Sequence, residues 1–134
     1  MPAVYNSSTL RIHLYPDQSI LETEWLDFAQ GEVLRSGYSE AIRLARQHGV
    51  RGWVANQKNM RTIRPTDQDW IAEHIMPSLR QLGLLRIGIV SSDDALNRMG
   101  IKSILARCPL GIDMQFFPDA VAARQWVSEV TVPA

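Results

Sequence analysis

Only one cysteine, Cys108, occurs in the 134 residues. No intrachain disulfide and no thiolate metal cluster can therefore be built from this chain. Cys108 lies between an apolar helical run and Pro109, a setting that predicts a small buried hydrophobe rather than a nucleophile. Net charge is also lacking. Fourteen Lys and Arg balance 14 Asp and Glu, so no overall field favours nucleic acid or an anionic membrane. No apolar run approaches the ~20 residues that span a bilayer. The start, MPAVYNSSTLR, has neither the basic head nor the apolar stretch of a secretory signal. Together these features predict a cytoplasmic protein with no nucleic-acid partner and no membrane span.

The familiar chemical motifs are missing too. There is no GxSxG elbow, no GxxxxGK[ST] loop and no GxGxxG turn. His13, His48 and His74 fall on three separate elements without ligand spacing, so neither a metal nor another cofactor is expected. His74 has Glu73 beside it, but adjacent helix residues point apart.

What is present is a regular alternation of short elements. Leu10, Ile12 and Leu14 alternate with Arg11, His13 and Tyr15, the period of a strand buried on one face. Pro16 to Ser19 form a turn, and Ile20 to Leu26 make a second strand, antiparallel to the first. Glu22 and Glu24 oppose Leu21, Thr23 and Trp25, which predicts a water-facing side. From Gly31 the period becomes helical, with Leu34, Tyr38, Ala41, Ile42 and Ala45 on one face and His48-Gly49 as the stop. Gly37 inside that helix suggests close packing on the sheet.

Val50 to Ala55 is a third strand, and Asn56 to Arg64 reads as a polar loop. Pro65 to Trp70 (PTDQDW) is a helix start with Thr66 as the expected cap, and Pro77 should kink or divide the helix. Leu85 to Val90 is a central apolar strand, and Ser91 to Asp94 cap the next helix, which Gly100 can break. Ile112 to Phe117 is the fifth strand, and Pro118-Asp119 open the last helix. Periodicity assigns Trp53, Trp70 and Trp126 to the core, each on the apolar side of its element. The order β-β-α-β-α-β-α-β-α predicts one α/β domain over residues 8–129, with short tails at 1–7 and 130–134. Its sheet is mostly parallel and carries an antiparallel N-terminal hairpin.

Several residues in this order resemble the SpoIIAA-like (STAS-type) superfamily, particularly its small stand-alone bacterial members. They are Trp25, Gly37, the segment Trp53 to Met60, PTDQDW, Gly83 before LRIGIV, and Ala123 to Val127. The resemblance implies strands in sequential order. It also implies a non-catalytic role, as a regulatory domain that binds a protein or as one that holds an apolar or nucleotide ligand. A phosphorylated Ser or Thr after the third strand controls some relatives. Here that region reads Asn56-Gln57-Lys58-Asn59, which carries no hydroxyl.

Charge patterning offers a candidate surface. Asp17 to Glu40 hold six acids and one base, whereas Ala41 to Thr66 hold six bases and no acid. Ligands of parallel sheets favour the carboxyl ends of strands. If the third and fourth strands are neighbours, Asn56, Lys58, Arg61, Ser91 and Ser92 line one binding rim. The readings open at this stage are a protein-interaction domain, which includes a homodimer, a carrier of a small apolar or amphipathic molecule, and a hydrolase using Ser91 or Ser92. A carrier needs a pocket of ~300 Å³ or more.

Overall fold

The computed structural model describes residues 3–132. The ends of both expected tails, residues 1–2 and 133–134, lie outside them. Six strands form one sheet in sequential order: β1 (Tyr5–Asn6), β2 (Leu10–Tyr15), β3 (Ile20–Asp27), β4 (Gly52–Met60), β5 (Arg86–Val90) and β6 (Asp113–Phe117). The first three are antiparallel and the rest are parallel. The two-residue β1, on the edge beside β2, lies within a segment that periodicity assigned to a tail.

Helices cover both faces. On one side lie α1 (Gly31–His48), the rod formed by α2 (Pro65–Trp70), a π turn (Ile71–Ile75) and α3 (Met76–Gln81), and then α4 (Ala95–Arg107). On the other side lies α5 (Ala120–Thr131) alone. The larger core joins Leu10, Ile12, Leu21 and Trp25 to Leu34, Tyr38, Ile71 and Ile104. The smaller one joins Ile20, Val54 and Val90 to Ala123 and Val127 beneath α5.

Local chemistry explains the joints. Pro77 cannot donate a backbone hydrogen bond, and the chain widens into the π turn just ahead of it, so the rod continues instead of dividing. At Gly37, a Cβ would stand 2.7 Å from the Trp25 ring and 2.9 Å from Leu10, so only glycine lets α1 lie this close to the sheet. Gly100 does not break α4; it gives Gln68 of α2 room, and the helix runs through.

Three expectations about side chains are corrected. Glu22 does not face water. It is 3% exposed, because α5 closes over that side of β3 and Arg124 reaches it. Thr66 does not cap α2; it is exposed and lies within the helix, whose cap position is Arg64. The neighbouring Asp67 is instead fully buried, taking Arg64 Nε at 2.9 Å and the Gly31 amide at 3.3 Å, so it pins α1 to α2. Trp53 is buried as expected, but Trp70 and Trp126 are half-buried. Trp126 sits between the Phe117 ring, 5.5 Å away, and the Arg86 guanidinium, 4.2 Å from its centroid.

Candidate binding site

The segment from Asn56 to Arg64 is not a loop up to Met60. β4 runs on to Met60 because β3 has eight residues and continues to pair with it, Leu26 with Asn59 and Asp27 with Met60. Between the pairs Glu24–Asn56 and Leu26–Asn59, β3 advances two residues and β4 three. The bulge falls at Gln57 and Lys58, where polar composition made the sequence read as loop. Only Arg61 to Arg64 connect β4 to α2.

β5 ends opposite Asn56, and the turn after it takes over the pairing. The Asp93 amide donates to the Lys58 carbonyl at 3.1 Å, and Ser92 Oγ donates to the Met60 carbonyl at 2.6 Å. Asn97 Nδ2 donates to the Arg61 carbonyl at 2.9 Å. Ser92 Oγ also accepts from the Asp94 amide, and Asp94 accepts from the Leu96 amide to cap α4. Ser92 is therefore a buried bracket whose hydroxyl both donates and accepts, tying the β5–α4 turn to the end of β4.

β4 and β5 are neighbours, so Asn56, Lys58, Arg61, Ser91 and Ser92 do share one end of the sheet. Their side chains do not form one site. Asn56 turns beneath the sheet to donate to Glu22 at 3.3 Å. Lys58 pairs with Asp93 at 3.2 Å, and Arg61 pairs with Asp27 at 3.1 Å, both at the surface. The basic excess is locally cancelled there. Exposed pairs of this kind contribute little to stability.

A groove beside that rim joins Ser91 and Ser92 of the sequence-derived set to residues that sequence reasoning missed. It holds about 310 Å³ between α4 and the ends of β5 and β6. Ile89, Ile101 and Phe116 supply its apolar lining, and Ser91, Arg98 and Lys102 are its polar and charged edges. Gln57 and Asn97 also line it, at 3% and 0% exposure, and Gln57 Oε1 and Asn97 Oδ1 accept no hydrogen bond. Had the period of two been carried past Ala55, Gln57 would have followed Trp53 and Ala55 on the inner face. Nothing in the sequence signals Asn97 ahead of the fold.

Gln57 divides this groove from a second space, an apolar cavity of about 70 Å³ under the π turn, also bounded by Tyr38, Trp53 and Ile104. The second space is well short of what a carrier needs. Burial pushes the Tyr38 hydroxyl above the usual phenol range, an effect that the neighbouring Gln57 side chain partly offsets.

The outward face of α4 exposes two large apolar side chains within one turn. Leu96 and Met99 are 59% and 66% exposed. On the helical wheel Met99 adjoins Lys102, whereas Arg98 lies on the groove flank and donates to the Ser92 carbonyl; neither cation forms an ion pair among the described residues.

No family model and no curated protein matches the chain. Among solved structures it is similar to an uncharacterized protein from the DUF3478 family with a SpoIIAA-like fold from Shewanella loihica. The TM-score is 0.58 at 14% identity, covering 92% of this chain and 97% of the other. The protein thus has a SpoIIAA-like fold, in line with the resemblance read from its residues. No helix among the described residues is long and apolar enough to cross a membrane.

Proposed function

We propose that this domain is a non-enzymatic interaction module, and that the outward face of α4 receives an acidic protein segment with apolar anchors. The observation that carries this reading is the exposure of Leu96 and Met99 on α4, with the exposed Lys102 one turn on from Met99 and free of ion pairs among the described residues. Large apolar side chains beside an unpaired cation suit a partner that brings both apolar contact and carboxylates. The original rim is a weaker candidate, because Lys58 and Arg61 already hold Asp93 and Asp27. A regulatory role is the natural use of such a module.

The test compares capture of partners from native cells by wild-type protein, by Arg98→Glu/Lys102→Glu and by Leu96→Ser/Met99→Ser. Wild-type protein should retain a partner whose recovery falls as salt rises and is lost in both variants. Equal recovery by all three proteins would place the contact elsewhere.

A further inference from the structure

We infer that the open edge of β6 takes up an extended, acidic segment of a partner protein, which adds to the six-stranded sheet as a further strand. The inference rests on the proposed docking at α4 for the partner's acidic character. It adds the conformation of the segment and the backbone that holds it.

The two edges of the sheet differ. β1 is two residues long, too short to template another strand. β6 runs from Asp113 to Phe117 in unbroken register with β5, and from Met114 onward it has no charge, proline or bulge to blunt it. The Ser91 amide donates to the Phe117 carbonyl at 3.1 Å, so Phe117 turns its backbone groups toward β5. Alternation along a parallel pair then turns those of Met114 and Phe116 outward. Both residues present an N–H and a C=O at the open edge, and none of these groups has a partner outside the β5–β6 ladder among the described residues.

The side chains beside the edge name the occupant. Met114 and Phe116 lie opposite Ile87 and Ile89, on the face that α4 covers. Phe116 is 45% exposed and borders the groove, so an apolar side chain of an added strand can rest on its ring. Arg98 and Lys102 stand about one turn apart on the same flank, and no acidic side chain lines the groove. Arg98 Nη1 donates to the Ser92 carbonyl at 2.8 Å, which steadies the guanidinium at the rim. Asp113 is on the opposite face, paired with Arg86. Pairing β6 with β6 of a second copy would line up the Arg98 and Lys102 of both copies with no acid between them. Glutamate or aspartate at alternate positions of a different chain answers those cations instead.

The probe is the synthetic peptide acetyl-Thr-Glu-Thr-Leu-Thr-Glu-Thr-amide, whose Glu, Leu and Glu share one face of a strand. It is added at roughly 5 mM, enough to fill most of a site of millimolar Kd, to wild-type protein labelled for NMR. The backbone amides of Met114 and Phe116 should shift and exchange more slowly with solvent. Two isomers of the peptide, N-methylated on alternate amides, each lose the donors of one edge. One should bind as the parent does, and the other at least about tenfold more weakly. Lys in place of both Glu, or Arg98→Glu/Lys102→Glu in the protein, should weaken binding by a similar factor. Equal binding by the two isomers would overturn strand addition; with shifts confined to Met99 and Lys102 it would leave docking on α4 standing. Edge pairing indifferent to the Glu-to-Lys exchange would overturn the acidic partner, here and in the proposed function alike. Absence of shifts at Met114 and Phe116 would also overturn the inference. So would a dimer of the free protein that already shields these amides, because the occupant would then be a second copy.

Discussion

Arg124 Nη1 lies 2.5 Å from Glu22 Oε1, joining residues 102 apart in sequence across the face of the sheet that α5 covers. Asn56 donates to the other carboxylate oxygen at 3.3 Å, and the guanidinium lies 4.9 Å from the centroid of the Tyr15 ring. Glu22 is buried and Arg124 only partly so, so losing the arginine strands a carboxylate away from water. Arg124→Ala should cost about 3 kcal/mol by chemical denaturation, whereas Glu22→Leu/Arg124→Leu should recover most of the loss. A single-variant loss under ~1 kcal/mol would mean that water reaches Glu22.

Gly37→Ala should destabilise the protein by about 1–2 kcal/mol, although alanine is the better helix former. The added methyl would meet the Trp25 ring and Leu10, both buried. Trp25 fluorescence and urea midpoints measure the effect together. A stabilised Gly37→Ala protein would show that α1 has room to move away from β3.

Asp67→Ala should cost about 2–3 kcal/mol, since it removes the acceptor of the Gly31 amide and of Arg64 from a fully buried position. Thr66→Ala, at an exposed position without a capping hydrogen bond, should stay within about 0.5 kcal/mol. Reversal of that order in denaturation midpoints would restore Thr66 as the cap.

Stability should fall at alkaline pH through Tyr38. Its folded pKa is raised by desolvation, while the unfolded side chain ionises near pH ~10. Below that pH both states keep the proton and the group contributes nothing to the slope. Above it only the unfolded chain ionises, so stability drops by about 1.4 kcal/mol per pH unit. Tyr38→Phe should shrink the difference between urea midpoints at pH ~9 and ~11, leaving a smaller slope from Tyr15, which is also shifted upward. An unchanged slope in Tyr38→Phe would mean that Tyr38 ionises freely in the folded state.

The fold was largely legible because each element announces its own period. LRIGIV, the Gly31–His48 stripe and the Asp94 and Asp119 caps are local signals that the tertiary structure keeps. The site was legible only in outline. Strand neighbours brought Lys58 and Ser92 to one end of the sheet, but whether a charge stays free depends on partners that arrive from distant elements, such as Asp27 for Arg61. Asn56 to Met60 failed as a loop because polar residues continue a strand wherever a longer neighbour supplies the hydrogen bonds. Glu22 failed as a surface acid because α5, at the far end of the chain, closes over it.

The proposed role stands most directly on what touches α4 in living cells. A photoreactive benzoylphenylalanine placed at Met99, and separately at Glu129 on α5, can be cross-linked in the native host and the adducts resolved by mass. The Met99 position should give a discrete protein adduct that the Glu129 position does not, and Arg98→Glu/Lys102→Glu should abolish it. Identical adducts from both positions, or a Met99 adduct indifferent to the charge reversal, would contradict docking on this face.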